Sequence, residues 1–288
     1  MMDHGRFAYS PIVDRTPKAL PGNARVGLWI SPNVEHFPWK QPGMAMTPMT
    51  AGLSPDVLNY AWRDYGARVG IWRLMDVLAK HGVAVTAALN SDVCDHYPQI
   101  VEAGTKAGWE WMAHGPNNAM LFTGMGPDDE RPLINSVIDR IQQATGTRPR
   151  GWLGPALTET DSTLDILAEA GIDYVCDWAN DELPYEISTA SGNIAALPYT
   201  LEIGDIPIFL QHGGTGEDFE RILIDQFDQL YEEGEHSPRI MSIAVHPFLI
   251  GHPYRARALD RALAHMCGHE GVWMATGSEM VDWFRSPD

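Results

Sequence analysis

Three short apolar segments of this sequence each lead to a side chain that can transfer a proton. The segments and the residues after them are 26–30 with Glu35, 109–113 with His114, and 241–245 with His246 and Pro247. Small apolar residues are typical of strands covered on both faces, and a proline cannot continue the ladder of hydrogen bonds. α/β proteins place their catalytic groups at the carboxyl ends of such strands. The pattern therefore predicts that Glu35, His114 and His246 converge on one pocket.

One carboxylate and two imidazoles can act together as general acid and base. A neutral imidazole near pH 7 suits proton delivery to a leaving nitrogen, which we assign to His246, while Glu35 can take a proton from water or bind a metal ion. His36 points to the opposite side from Glu35 if the chain is extended there, so only one of the two faces the pocket. The structural alternatives are a solvated carboxylate at Glu35 and a core histidine bonded to a backbone carbonyl at His114.

Charge and motifs exclude several classes of function. The chain of 288 residues has a formal net charge of −18, which would repel phosphate backbones and anionic lipids, so we expect no nucleic-acid or membrane partner. The sequence contains no Gly-x-Ser-x-Gly, glycine-rich phosphate loop or His-Glu-x-x-His, the motifs of acyl-enzyme hydrolases, nucleotide-binding proteins and zinc proteases. A small-molecule substrate is expected.

Strand and helix patterns alternate along the chain. Apolar runs predict strands at 26–30, 83–89, 109–113, 150–153, 172–176, 194–199, 206–210, 241–245 and 272–276. Apolar residues at helical spacing predict helices at 71–82, 98–107, 129–145, 160–170, 219–233, 254–267 and 277–284. The alternation predicts an α/β barrel, and a chain of this length is normal for one such domain.

Residues 1–24 mix proline, glycine and charge without a period. We interpret them as an N-terminal arm that wraps the body or a neighbouring subunit, or else as a disordered tail, and residues 25–288 as a single barrel domain. We expect a homo-oligomer. Three cysteines without a CxxC pair, no apolar leader and no membrane-spanning run predict a cytoplasmic protein.

The segment 37–55 carries four prolines, which forbid regular structure. We interpret it as a long loop that covers a small pocket, because long loops inside compact domains tend to be functional. Its Trp39, Met44, Met46 and Met49 would line that pocket. The alternative is ordinary packing beneath the loop.

Five segments resemble, in the same order, the motifs of the polysaccharide deacetylase superfamily. They are Asn33-Val34-Glu35-His36, Ala113-His114-Gly115-Pro116-Asn117-Asn118, Gly151-Trp152-Leu153-Gly154-Pro155, Asp177-Trp178 with residues 181–185, and Ile243-Ala244-Val245-His246-Pro247. Residues 63–66, 181–185 and 246–251 are most similar to the branch of metal-independent allantoinases and cyclic imidases. The resemblance covers about residue 25 to the C-terminus and implies a distorted (β/α) barrel of about seven strands.

The motifs depart from those of the superfamily's deacetylases, which usually have two aspartates in the first motif and two histidines four apart in the second. Here the first motif offers Glu35 and His36, and Asn118 stands four residues after His114. Asparagine is a weaker ligand than histidine for a transition metal. The metal site that the resemblance implies, at His36, His114 and Asn118, is therefore weak or absent. We expect no required cofactor, or a weakly bound divalent metal such as zinc.

The resemblance and the residues together predict a hydrolase of C–N bonds in small cyclic amides: imides, hydantoins or ureides. Glu35 would activate water, His114 with Asn118 or a weakly held metal would stabilise the oxyanion, and His246 would protonate the leaving nitrogen. The substrate-binding residues would be Trp39, Asn118, Trp152, Pro155, Asp177, Trp178 and Tyr185. One alternative is a metal-dependent carbohydrate N-deacetylase that acts on acetylated amino sugars. Another is a non-catalytic binding protein.

Overall fold

In the computed structural model, which describes residues 4–40, 43 and 45–287, nine strands form one sheet. They are β1 (Val26–Val34), β2 (Thr86–Leu89), β3 (Glu110–Ala113), β4 (Gly151–Trp152), β5 (Tyr174–Val175), β6 (Tyr185–Thr189), β7 (Gly192–Ala196), β8 (Arg239–Val245) and β9 (Val272–Met274). The order is β6-β7-β5-β4-β3-β2-β1-β8, and β9 pairs with β1. All pairs are parallel except β6 with β7. The predicted α/β class is confirmed.

β1 is the longest strand and pairs with three others, β2, β8 and β9. Along one edge it pairs with β8 over seven residues. Along the other edge its first residues pair with β9 and its last two, Asn33 and Val34, pair with β2. All nine residues of β1 are buried, which agrees with their apolar or small side chains. The carboxyl end of β1 therefore lies between the carboxyl ends of β2 and β8.

Helices connect the strands and cover the outer face of the sheet. Over the described residues they are α1 (Val57–Tyr65), α2 (Ile71–His81), α3 (Val93–His96), α4 (Pro98–Lys106), α5 (Pro127–Thr145), α6 (Thr163–Glu169), α7 (Gly216–Glu233), α8 (Pro247–Ile250), α9 (Pro253–Cys267) and α10 (Gly277–Arg285). α2 buries Ile71, Leu74 and Leu78, which are at the predicted helical spacing. α7 and α10 both begin with a capping box, at Thr215 and at Thr276.

Successive residues of the strands point into two separate apolar layers. In β1, Leu28 and Ile30 face the layer between sheet and helices, whereas Trp29 faces an inner layer. The inner layer is filled by side chains from both halves of the sheet and by α10: Trp29, Ala88, Met112, Leu153, Tyr174, Cys176, Ala195, Leu197, Tyr199, Ile240, Ala244, Ala275, Met280 and Val281. Each large apolar side chain buried there contributes about 1.5–3 kcal/mol. The inside of the barrel is thus a packed core.

Among the described residues, the two end strands of the sheet, β6 and β8, do not pair with each other. Ile240 N of β8 donates instead to Glu182 O, at 3.0 Å. The hydroxyls of Thr200 and Ser242 also accept from each other's backbone N–H, at 2.6 and 3.2 Å. We call this junction the seam. The missing ladder agrees with the predicted distortion of the barrel, and nine strands take part in the sheet, against the predicted number of about seven.

Several elements differ from the sequence prediction. Residues 206–210 were predicted to form a strand, which is wrong: Pro207–Gln211 is a π-helical turn, because Pro207 has no N–H to donate to a ladder. Strand β6, which begins at Tyr185 and forms a hairpin with β7, was not predicted. α1 was not predicted, although Asp56 caps its first turn by accepting from Asn59 N.

The described part of the arm, residues 4–24, lies against its own chain. Phe7 packs edge-on against Trp178 and Tyr185, with ring centroids 5.4 and 4.8 Å apart. Arg6 pairs with Asp165 at 2.8 Å. Arg6 and Phe7 thus contact other elements of the same chain. No helix in residues 4–40, 43 and 45–287 is long and apolar enough to cross a membrane.

The proline-rich segment 37–55 contains one short 3-10 turn, Pro48–Thr50, in its described part. Trp39 packs edge-on against Tyr60 of α1 at 4.8 Å. Met46 and Met49 are 44% and 81% exposed, so they do not line a closed pocket, and Met44 lies outside the described residues. The described part of the loop is irregular as predicted, but Met46 and Met49 lie at the surface.

Candidate active site

Glu35 is the centre of a buried polar cluster at the carboxyl ends of three strands. It follows β1, and its side chain is 3% exposed. Its Oε1 lies 3.4 Å from Nε2 of His114, which follows β3, and 3.6 Å from Nε2 of His246, which follows β8. Nδ2 of Asn118 donates to the same oxygen at 2.5 Å. The structure thus brings together the three side chains that the sequence pattern predicted to converge.

The ring of His114 is oriented by the neighbouring strand. Its Nδ1 donates to the carbonyl oxygen of Leu153, which follows β4, at 2.6 Å. A neutral imidazole then carries its lone pair on Nε2, and this atom is buried without a hydrogen-bond partner. Gly115 makes the turn after it at a φ of 63°, and a Cβ there would lie 2.7 Å from Pro155. Pro155 therefore packs against this turn.

His246 is oriented by Asp205, a residue that the sequence analysis did not identify. The Nδ1–H of His246 donates to Asp205 Oδ1 and its backbone N–H donates to Oδ2, both at 2.7 Å. Burial by itself lowers the pKa of His246, but the carboxylates of Asp205 and Glu35 outweigh it, so the pKa is raised. An imidazolium with its Nε2–H directed at Glu35 is thereby favoured. In the sequence, Asp205 is a single aspartate directly before residues 206–210, the segment that was wrongly predicted to be a strand.

Close contact of backbones positions the chain that follows His246. Pro247 and Gly251 pack against the π-helical turn Gly66–Gly70. A Cβ on Gly70 would lie 2.0 Å from the carbonyl oxygen of Pro247, and a Cβ on Gly251 would lie 2.3 Å from Gly70 Cα. Only glycine permits this approach. The segments 63–66 and 246–251, which carried the resemblance, are thus packing partners.

His36 lies outside this cluster. Its ring stacks on that of His96, with centroids 4.1 Å apart and an interplanar angle of 3°. Burial, followed by the proximity of His96, lowers its pKa. Of Glu35 and His36, it is therefore Glu35 whose side chain faces the cluster. The assignment of His36 as a metal ligand is corrected, because its ring lies elsewhere.

The donor set around Glu35 does not fit a closed zinc site. An asparagine ligates a cation through its oxygen, but Oδ1 of Asn118 faces Nδ2 of Asn90 at 3.5 Å while its amide nitrogen faces Glu35. Glu35, His114 and His246 then remain, because His36 points elsewhere, and their ligand atoms do not all lie within 4.8 Å of one another in the described structure. The charged form of His246 that Asp205 favours also carries a proton on Nε2 instead of a free lone pair. A structural zinc site needs four ligands and a catalytic one keeps three from the protein.

Most of the predicted substrate-binding residues lie away from Glu35. Trp152 is fully buried and packs on Phe122 at 5.5 Å, while its Nε1 has no hydrogen-bond partner, so its assignment to the substrate stays a prediction. Trp178 donates to Glu159 at 3.1 Å and, like Tyr185, contacts the arm. Trp39 lies on α1. Of this set, Asn118 contacts the cluster.

Asp177 has a structural contact rather than one with the cluster. Its Oδ1 accepts from Gly154 N at 2.7 Å, which fixes the turn after β4. Burial, with the nearby charge of Glu159, raises the pKa of Asp177 well above its usual value. Burial likewise raises the pKa of Glu159 to about 7. Asp177 thus supports Leu153, whose carbonyl orients His114.

Known proteins share both the sequence and the fold. The sequence profile of the family described as polysaccharide deacetylase matches residues 61–175. A protein of Schizosaccharomyces pombe described as a "putative polysaccharide deacetylase" is 30% identical over 235 residues, which are 76% of this chain and 73% of the relative.

Two solved structures are similar over nearly the whole chain. A "probable polysaccharide deacetylase" from Pseudomonas aeruginosa PAO1 has a TM-score of 0.84 and 28% identity, covering 95% of this chain and 96% of the other. An allantoinase, Puue, has a TM-score of 0.82 and 26% identity, covering 96% and 98%. The barrel class and the resemblance stated from the motifs are confirmed. The chain is a hydrolase that belongs to the polysaccharide deacetylase family, and its fold is also similar to that of the allantoinase.

Proposed function

We propose that this chain hydrolyses the C–N bond of small cyclic amides: cyclic imides, hydantoins or allantoin-like ureides. The observation that carries the proposal is the position of one buried carboxylate, Glu35, between two imidazoles whose far nitrogens are hydrogen-bonded to Leu153 and Asp205. Such a group can accept a proton on one side and deliver another on the other side. The likeness to an allantoinase supports the choice of a cyclic amide.

Glu35 is assigned as the general base. Its Oε1 accepts from Asn118, whereas its Oε2 is buried without a hydrogen-bond partner. That free oxygen takes a proton from a water molecule as the water oxygen attacks the carbonyl carbon of the ring amide. The C–O bond forms, and the carbonyl oxygen becomes an oxyanion.

His114 and Asn118 are assigned to the oxyanion. Because the Nδ1–H of His114 donates to Leu153, its Nε2 donates to the oxyanion only in the imidazolium form, which takes its second proton from solvent before the attack and keeps it throughout the step. The amide nitrogen of Asn118 has two hydrogens, of which one is on Glu35 and the other is available. Donors of this kind stabilise the charge that develops in the transition state.

His246 completes the reaction at the leaving nitrogen. The tetrahedral intermediate collapses, the C–N bond breaks, and the Nε2–H of His246 protonates the departing nitrogen. The ring opens to a carboxylate and an amine or amide. At this point Glu35 holds the proton that it took from water. This proton passes to Nε2 of His246, through solvent or directly across the 3.6 Å between Glu35 and His246, and restores the charged form of His246.

The burial of the site favours a small substrate. Glu35, His114 and His246 all have buried side chains, and Phe37 packs edge-on against Phe248 beside them at 5.9 Å. A polysaccharide requires an open groove, whereas a ring amide needs room for one ring. The second candidate function is N-deacetylation of acetylated amino sugars, which the description of the yeast relative favours. The intact cluster counts against the non-catalytic alternative.

One screen separates these candidates. Cyclic imides, hydantoins, allantoin and acetylated chito-oligomers are each incubated with the protein, with and without chelator, and ring opening or acetate release is measured. Ring opening that survives chelation supports the proposal. Acetate release from chito-oligomers that a chelator abolishes contradicts it and supports the deacetylase.

Low metal dependence is the first prediction. Asn118 directs its nitrogen rather than its oxygen at Glu35, and the charged form of His246 directs its Nε2–H there. Glu35 and His114 are then the groups left with a free lone pair, so any ion there is removed easily. After prolonged chelation and dialysis we expect kcat/KM to stay within about twofold of its starting value. Loss of activity that added zinc restores would contradict this prediction.

Asp205→Asn should shift the pH profile of the enzyme. Removing the negative charge lowers the pKa of His246, so less of the imidazolium is present at a given pH. We expect the alkaline limb of kcat/KM against pH to move to lower pH. An unchanged limb with a lowered Tm would show that Asp205 only supports the fold.

The remaining expectations are also proposals. The protein is proposed to act in the cytoplasm on a small molecule, without nucleic-acid or membrane partners, and as a homo-oligomer. The acidic net charge of −18 supports the absence of nucleic-acid and membrane partners. Size-exclusion chromatography with light scattering tests the oligomer.

A further inference from the structure

The end of α9 brings two histidines to a carboxylate of α7. Asp228 is on α7, His265 is in the last turn of α9, and His269 lies two residues beyond that helix. One ligand atom from each lies within 4.8 Å of the other two. Across the described chain, this is the one group of three or more histidine, cysteine or acidic residues with that property. It shares no residue with the Glu35 cluster.

We propose that Asp228, His265 and His269 form a binding site for a divalent transition metal, with Zn²⁺ as the ligand of best fit. Two imidazoles and one carboxylate are the donor set that zinc accepts in sites that keep a water ligand. Ligand atoms at about 2.0–2.2 Å from zinc lie about 3.3 Å apart in a tetrahedron, which small side-chain rotations achieve from the observed spacing. The proposal does not depend on the proposed hydrolysis.

Hydrogen bonds already orient both rings for this role. Nδ1 of His269 donates to the carbonyl oxygen of His265 at 2.9 Å, which leaves its Nε2 with the lone pair. Metal-binding histidines usually make such a bond with the ring nitrogen that does not bind the metal. Nε2 of His265 lies 2.7 Å from Asp228 Oδ1. Zinc would take the place of the proton between these two atoms, and that proton would leave to solvent or to Nδ1.

Aromatic side chains hold the rings in place. Phe227 and Tyr231 of α7 each pack edge-on against His269, with centroids 5.1 Å apart. Phe227 also contacts His265 at 6.0 Å. An ordinary ion pair would explain the contact between Asp228 and His265. It would not explain why the ring of His269 is also held in a fixed orientation beside them. The arrangement would clamp the end of α9 to α7.

Zinc binding to the full chain tests the site. Metal-free protein is titrated with Zn²⁺ by calorimetry, and Tm is measured with and without the metal. We expect one Zn²⁺ per chain, a Tm that rises with zinc, and an affinity at least about tenfold lower in His269→Ala and Asp228→Asn. The matched control is His212→Ala, which removes another exposed histidine and should bind zinc as the wild type does.

The outcome is decisive because the changed residues lie at the surface. Tm without metal shows whether each variant is folded, and Asp228→Asn keeps the size of the side chain. Equal zinc affinity in the wild type and in folded His269→Ala would overturn the proposal. So would loss of the bound zinc in Glu35→Gln with retention in His269→Ala, because the ion would then belong to the active centre.

Discussion

Glu35→Gln should reduce kcat/KM by at least about 10²–10⁴-fold while Tm stays within a few degrees. The amide fills the same space, and its oxygen can still accept from Asn118, so the packing of the cluster is kept. It cannot take a proton from water. The measurement is steady-state hydrolysis of the best cyclic amide from the screen, with calorimetry of both proteins.

His36→Gln is the matched control, because it changes the next residue of the same segment. Its ring stacks on His96 and does not contact the cluster, so kcat/KM should fall by less than about tenfold. If Glu35→Gln keeps more than about a tenth of the wild-type activity, Glu35 is not the base. Severe loss in His36→Gln alone would transfer that role to the histidine.

His246→Ala should lower kcat/KM by about 10²–10⁴-fold on a cyclic amide with a basic leaving nitrogen. A poor leaving group must be protonated as the C–N bond breaks, whereas the nitrogen of an activated imide leaves without help. The loss should therefore be much smaller on the imide. The measurement is kcat/KM of both proteins over a series of substrates ordered by the pKa of the leaving nitrogen.

His252→Ala provides the comparison for this series. His252 lies six residues further along the same segment and stacks on Tyr65, with centroids 4.3 Å apart, without contacting Glu35. Its loss should affect all substrates alike. If His246→Ala also gives equal losses across the series, together with a clear drop in Tm, then His246 satisfies a buried hydrogen bond and is not the acid.

The sequence predicted the parts of the site that lie at strand ends. A strand followed by proline predicted the place of His246, and the apolar runs before Glu35 and His114 predicted theirs, because parallel strands end at one edge of a sheet. The register of β1 with β8, and of β1 with β3 through β2, places Glu35 Oε1 3.4 Å from His114 Nε2 and 3.6 Å from His246 Nε2. The barrel class followed from the alternation of elements for the same reason.

What the sequence did not predict depends on contacts between distant segments. Asp205 lies 41 residues before His246, and nothing in its neighbours shows that its carboxylate meets that ring. The contact of Trp152 with Phe122 also joins segments 30 residues apart. The orientation of the Asn118 amide likewise depends on Asn90, a residue from another loop.

The seam gives the protein a weak line along which it can open locally. β1 and β8 share a ladder of seven residue pairs. Across the seam the described residues have no such ladder: they make the Ile240–Glu182 bond, the Thr200–Ser242 bonds, the Arg239–Glu182 ion pair and the bonds from His246 to Asp205. Opening of the seam therefore costs less free energy than separation of β1 from β8. The segment that would move carries Asp205, while Glu35, His114 and His246 remain on strands that stay paired. Mild denaturant should thus produce a folded but less active species in which His246 has lost its carboxylate, before the barrel itself unfolds.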